Sequence, residues 1–137
     1  MANFIYKKAK QALLNGDIAV DTNDLKILFI DTTTYTANQN TDQFVSDIAS
    51  SAIKARSAAL TNKTTTNGVL DADDVQVASY PGSAFDAIVL YQLGSSDLDS
   101  RLIFYIDTSD GLPFDGSNSA LGVTINWSND SNKILSI

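Results

Sequence analysis

Two runs in the middle of the chain, FDAIVLYQ over Phe85 to Gln92 and RLIFYID over Arg101 to Asp107, are apolar at nearly every position. Side chains alternate across a strand. Phe85, Ala87, Val89 and Tyr91 therefore fall on one face, and Asp86, Ile88, Leu90 and Gln92 on the other. In the second run Leu102, Phe104 and Ile106 share a face, opposite Ile103 and Tyr105. Apolar residues on both faces predict a strand pair at the centre of a sheet, covered on both sides. The turn-rich segment Leu93 to Ser100 separates the two strands.

The remaining pattern surrounds this pair with short elements. Asn3 is placed to cap a helix over Phe4 to Leu14, with Phe4, Ile5, Ala9, Ala12 and Leu13 as its apolar stripe and a stop at Asn15-Gly16. Ile18 to Val20 and Leu25 to Ile30 read as strands joined by a turn at Asp21 to Asp24. Thr32 to Thr41 has no sustained period and reads as a loop. Asp42 could open one short additional helix carrying Phe44, Val45 and Ile48. Ser50 to Ala59 fits either helix or loop. From Leu60 the alternation is β-like, with an Asn67-Gly68 turn and Val75 and Val77 facing together. Tyr80-Pro81-Gly82 marks a turn, and the stretch from Thr108 to Ser119 a long loop. Leu121, Val123, Ile125 and Trp127 make a one-sided strand, and the closing KILSI is predicted to be held in the sheet. The fold class that follows is mainly β: antiparallel sheets in a β-sandwich-like arrangement with an N-terminal α-helix, within one domain spanning residues 1–137.

Composition changes the picture by what it excludes. The chain has no cysteine and no histidine, which removes disulfides, thiolate and imidazole metal ligands, and any Ser-His-Asp arrangement. Its 16 acidic residues are all Asp, accompanied by many Asn, Ser and Thr. Such short polar side chains compete for nearby backbone groups and favour turns and caps. Nine Lys and Arg against those 16 give a net charge of −7, which argues against nucleic acid as a partner. No stretch is long enough for a membrane span, and Lys7, Lys8 and Lys10 interrupt the start where a signal peptide would be apolar. The expectation is a chain made in the cytoplasm. Sequons begin at Asn62, Asn126 and Asn129 and read as chance occurrences in an Asn- and Ser-rich chain.

Candidate chemistry is sparse. Asp71, Asp73 and Asp74 form the densest carboxylate group, followed by Asp97 with Asp99, Asp107 with Asp110, and Asp115. None has EF-hand spacing, and turn-forming roles are the ordinary reading, with calcium as the alternative. A pair of aspartates could support glycoside hydrolysis without histidine, but no spacing places two at a working separation. The sequence thus indicates no catalytic residue, cofactor or metal site. Tyr35, Tyr80, Tyr91, Tyr105 and Trp127 read either as core or as a carbohydrate-stacking surface. The N-terminal helix offers the one candidate docking surface: Phe4 with Lys7, Lys8 and Lys10, a third of all cations in the chain within four positions.

The order of blocks resembles that of a family of small bacteriophage and prophage virion proteins. The matching residues are MANFIYKKAKQALLNGDIAVDTNDLKILFID, LTNKTTTNGVLDADDVQV, the pair AIVLYQ and SRLIFYID, and VTINWSNDSNKILSI. The chain departs from the family pattern at Ser50 to Ala59, where a glycine-containing turn would be expected. The resemblance implies a non-enzymatic virion component on a compact β fold, present in several copies per particle. A capsid decoration or cement protein bound to the major capsid protein, and itself oligomeric, is the first expectation. A tail, fibre or adhesin component binding a host glycan through Asp- and Asn-rich loops and exposed tyrosines is the alternative within the virion, and a glycoside hydrolase is the alternative outside it.

Overall fold

The computed structural model describes residues 3–77, 83–116, 122–128 and 134–136. In chain order the elements are β1 (Phe4–Ile5), α1 (Lys7–Asn15), β2 (Leu25–Ile30), β3 (Ile53–Arg56), β4 (Val69–Leu70), β5 (Val75–Val77), β6 (Ala87–Gln92), β7 (Arg101–Ile106), β8 (Val123–Ile125) and β9 (Leu135–Ser136). Five strands form one antiparallel sheet in the order β1-β7-β6-β2-β3. β4 pairs with β9, and β5 with β8, as two antiparallel ribbons. The protein is mainly β, as the alternation predicts, and β6 and β7 are interior strands of the larger sheet.

Both faces of that sheet are covered, which explains why its strands are apolar throughout. Leu28, Val89 and Tyr105 lie in register on one face; Phe29 with Ile88, and Ile27 with Leu90, lie on the other. On the second face Ile88, Phe104 and Ile106 approach Val123, Ile125, Trp127 and Ile134 around a shared cleft, so the ribbons make the second layer of a sandwich-like core. Backbone groups displaced from the ladder find side chains instead. Buried Ser57 accepts a hydrogen bond from the Ile27 N–H at 2.9 Å and donates to the Ala58 carbonyl at 2.7 Å.

Alternation fails at two places in the central pair. Asp86 forms a bend, and its carboxylate accepts from the Thr32 N–H (2.8 Å) and hydroxyl (2.5 Å). Phe85 consequently packs edge-on against Phe29, whose register partner is Ile88, rather than sharing the face of Ala87 and Val89. In β7 the register shifts, so that Phe104 pairs with Leu90 while Leu102 pairs with Tyr91. Leu102 and Phe104 thus lie on opposite faces, a local irregularity that a strict period of two does not anticipate.

The helix begins later than its apolar pattern suggests. Phe4 and Ile5 pair with Tyr105 and Phe104 in the sheet, and the Phe4 ring stacks on Tyr105 at 5.0 Å and meets Tyr6 edge-on at 5.1 Å. Asn3 caps no helix: its carboxamide accepts from the Asp107 and Thr108 N–H groups and donates to the Thr108 carbonyl. Ladder bonds and aromatic burial outweigh the extra turn of a short helix, whose own stability is marginal. The end is as expected, with Gly16 left-handed at φ 80° and its N–H returned to the last turn.

Other corrections are local. Ile18 to Val20 is not a strand: the Asn23 carboxamide accepts from Ala19 N–H at 2.7 Å, and the Thr22 and Asn23 N–H groups close on the Ala19 carbonyl. The expected second helix is a single 3₁₀ turn over Val45–Asp47. Asp42 does not cap it, because its carboxylate is taken by Tyr35 and by the Asn38 N–H. Ser50 to Ala59 resolves into a 3₁₀ turn at Ser50–Ala52 and edge strand β3. The Tyr80-Pro81-Gly82 turn, Leu121 and the sequon at Asn129 lie outside the described residues.

Candidate docking surface

Helix α1 buries Ala9 and Ala12, half-buries Leu13, and leaves Lys7, Lys8 and Lys10 exposed. Among the described residues no ammonium group of these three forms an ion pair or a hydrogen bond. Their position is also unfavourable for the helix itself. They occupy its first turn, which holds no acidic residue, and Tyr6 at the N-cap supplies no side-chain acceptor. Cations at the positive end of a helix dipole cost roughly 0.3–1 kcal/mol each at the surface. Helix stability therefore does not explain them.

Phe4 stands outside the helix that its apolar spacing suggests. It sits in β1, half-buried against Tyr6 and Tyr105, and holds the chain that leads into the helix. Beside the lysines stands an exposed leucine. Leu14 is 88% exposed, and it follows Lys7 and Lys10 by seven and four positions, which places all three on the outer face of α1. Its neighbour Leu13 satisfies the helical period inward, so Leu14 is the leucine that the core does not use.

The aspartates are distributed among structural roles. Asp73 accepts from the Thr61 hydroxyl at 3.1 Å and the Asn62 carboxamide at 2.6 Å, and Asp74 accepts from the Trp127 N–H at 2.8 Å. Asp99 accepts from the Ser95 hydroxyl and the Ser96 N–H, bonds that hold its carboxyl below the usual range. Asp97 forms a two-pronged ion pair with Arg56 at 2.8 and 2.9 Å, which lowers its carboxyl in the same direction. No cluster of three or more acidic groups able to hold a metal ion occurs among the described residues.

Tyr35, Tyr91 and Tyr105 are core residues rather than an exposed stacking surface, with burial raising each phenol above its ordinary range. Tyr91 packs under the Arg56 guanidinium, 6.0 Å from its ring centroid, with its ring fully buried. Trp127 is half-buried and donates its indole N–H to the Asp73 carbonyl at 3.1 Å. Tyr80 lies outside the described residues.

Clefts among the described residues lie apart from the helix surface. One, of about 430 Å³, is lined by Thr32, Asp86, Asp107 and Thr108 beside Tyr35 and Tyr105. Two carboxylates, Asp86 and Asp107, share this concavity. Asp86 reaches it because of the bend that reverses Phe85, a rearrangement invisible in the alternation. The other, of about 770 Å³, is the mainly apolar gap between the sheet and the β5–β8 ribbon. Comparison with models of protein families and with curated proteins finds no match to this chain.

Proposed function

We propose that the chain is a non-enzymatic structural protein of a bacteriophage virion, a capsid decoration or cement protein that binds the assembled head and is itself oligomeric. It would be made in the cytoplasm of the bacterial host and act in the virion, with the major capsid protein as its principal partner. The observation that carries this reading is the first turn of α1. Lys7, Lys8 and Lys10 are exposed, unpaired and electrostatically unfavourable where they stand, on a chain of net charge −7. A cost within the monomer that an acidic neighbour would offset is the signature of a docking face. The resemblance of the order of sequence blocks to that of small virion proteins supports the same reading. A ligand that binds only the assembled lattice stabilises it by mass action, and many weak contacts sum through multivalency.

Immunogold electron microscopy of phage from the source lysate, with antibody to the purified chain, tests it. Label over the head is the expected result, and stripping the protein is then expected to lower the temperature at which particles lose DNA. Label confined to the tail would move the reading to a tail, fibre or adhesin component. That second reading is favoured by the hydroxyl- and carboxylate-lined cleft at Asp86 and Asp107, which could hydrogen-bond a host glycan. It loses the expected aromatic platform, since the faces of Tyr35, Tyr91 and Tyr105 are buried. Reproducible saccharide binding on a glycan array would restore it.

A further inference from the structure

Two leucines project far into solvent, Leu14 at 88% exposure and Leu98 at 75%. Their surroundings carry opposite charge. Leu14 shares the outer face of α1 with Lys7 and Lys10. Leu98 stands at the tip of the turn between β6 and β7, flanked in sequence by Asp97 and Asp99. Asp47 is brought to the same end of the domain, because the Ser46 N–H donates to the Asp97 carbonyl at 3.0 Å. Arg56 is spent on Asp97, Arg101 lies 5.4 Å over the Phe44 ring, and Lys26 stands in the sheet as the register partner of Tyr91. At the tip itself the charged neighbours of Leu98 in the chain are both carboxylates, Asp97 and Asp99.

The turn is also rigid, as a docking element requires if it is not to lose freedom on binding. Asp99 accepts from Ser95 and Ser96, the Ser100 hydroxyl accepts from the Gly94 N–H at 2.9 Å and donates to the Ser96 carbonyl at 2.7 Å, and Arg56 clamps Asp97 from β3. Leu98 is thus held outward by a hydrogen-bonded frame. Nothing in the frame needs a leucine at that tip.

We infer that these two patches are the halves of one interface, and that the outer face of α1 in one copy docks on the Leu98 turn of a second copy of this chain. The lysines find carboxylates, and each leucine finds apolar surface. Because the two patches differ, the contact is head-to-tail, and such contacts close into rings or run on as filaments. The inference takes from the proposed function only that α1 is a docking face; it names the occupant of its outer side. Attachment to a particle would then depend on these lysines through the avidity of the assembled oligomer.

Sedimentation velocity on the purified full-length chain over a concentration series tests this without any particle. The parent chain is expected to self-associate. A helix-face variant (Lys7→Asp, Lys10→Asp, Leu14→Ser) and a turn variant (Leu98→Lys) are each expected to weaken association at least about tenfold, as loss of an interface anchor does. Mixed in equal amounts, they are expected to form a one-to-one dimer and nothing larger, since each retains the patch the other has lost. A parent chain that stays monomeric throughout overturns the inference. So does either variant assembling like the parent, or a mixture of two folded variants that forms no dimer. Circular dichroism establishes that both fold, with the single exposed changes Leu14→Ser and Leu98→Ser as the mild alternatives. Self-association without head labelling would defeat the capsid-decoration reading and leave this inference standing; head labelling by a monomer would defeat this inference and the oligomeric part of that reading, and leave attachment to the head standing.

Discussion

The hydroxyl of Tyr6 lies 2.9 Å from that of Tyr35, and Tyr35 donates onward to the Asp42 carboxylate at 2.7 Å. Tyr6 is the residue between β1 and α1, whereas Tyr35 and Asp42 belong to the long connection after β2. The chain of hydroxyls therefore ties the root of the basic helix to a segment with little secondary structure of its own, and the Lys7 N–H to Gln39 carbonyl bond reinforces the tie.

Removing the middle of that chain is the first test. Tyr35→Phe leaves the fully buried Tyr6 hydroxyl without its partner and is expected to cost about 1–3 kcal/mol in urea unfolding. Tyr6→Phe leaves Tyr35 bonded to Asp42 and is expected to cost about 0.5–1.5 kcal/mol. The double variant is expected to lose less than the sum, because residues in one network are coupled. Strict additivity would mean that the two hydroxyls do not interact in solution.

Alkaline pH acts on the same residues. Burial raises the phenols of Tyr6, Tyr35 and Tyr105 above the ordinary tyrosine value of about 10, with Asp107 adding to the shift at Tyr105. The unfolded chain then releases these protons at lower pH than the folded one. Their contribution is intact below about pH 10 and is lost as pH rises from there toward the folded values. Phenolate absorbance is expected to rise together with the loss of tertiary structure. Ionisation of all tyrosines near pH 10, about their free value, in a still-folded chain would contradict the burial.

Glycine is required at position 94 for space rather than for backbone conformation. A Cβ there would stand 2.5 Å from a carboxylate oxygen of Asp99 and 2.7 Å from its backbone carbonyl oxygen. Gly94→Ala is expected to destabilise by roughly 1–3 kcal/mol, as overpacking against backbone does. At Gly16 the space is open but φ is +80°, so Gly16→Ala is expected to cost only about 1 kcal/mol. Thermal unfolding that ranks Gly16→Ala as the more damaging would reverse this account.

Elements fixed by local pattern were legible in the sequence, and those decided by tertiary competition were not. β2, β6 and β7 follow from uninterrupted apolar runs, and the end of α1 follows from Asn15-Gly16. The start of α1 is not legible because Phe4 and Ile5 satisfy a helical stripe as well as a strand, and only their pairing with Tyr105 and Phe104 decides. The burial of Tyr35 was one of two readings; the chain that joins it to Tyr6 and Asp42 spans residues too far apart for any local period to connect. In the docking surface the lysines were visible as a charge cluster. Leu14 was hidden beside Leu13 until the helix phase was known, and Leu98 lay within a turn whose tip no alternation locates.

The Arg56–Asp97 pair predicts a response to acid. Hydrogen bonding to Arg56 holds the Asp97 carboxyl below its ordinary range, so its contribution to stability is present above the unfolded carboxylate value and is lost as pH falls through the folded one. Both side chains are substantially exposed, at 36% and 46%, so the effect on stability is small and screened by salt. Asp97→Asn is expected to be slightly less stable than the parent at neutral pH, with the difference vanishing on acidification and shrinking in high salt. A gap that persists in acid would mean that Asp97 acts by packing instead of charge.

Charge reversal on α1 separates docking from folding by the sign of its two effects. Lys7, Lys8 and Lys10 stand in a first turn without acidic residues, where the helix dipole disfavours them. Replacing them by aspartate puts favourable charge there, worth about 0.3–1 kcal/mol per site. Lys7→Asp, Lys8→Asp and Lys10→Asp are therefore expected to leave thermal stability unchanged or slightly raised. If the basic turn is retained for an acidic neighbour, the same changes are expected to reduce occupancy on virions, in competition with the parent protein, and the reduction is expected to be greatest at low salt. A purely structural role predicts the opposite pairing, with stability altered and occupancy intact. Occupancy equal to the parent at every salt concentration would remove α1 from the docking surface.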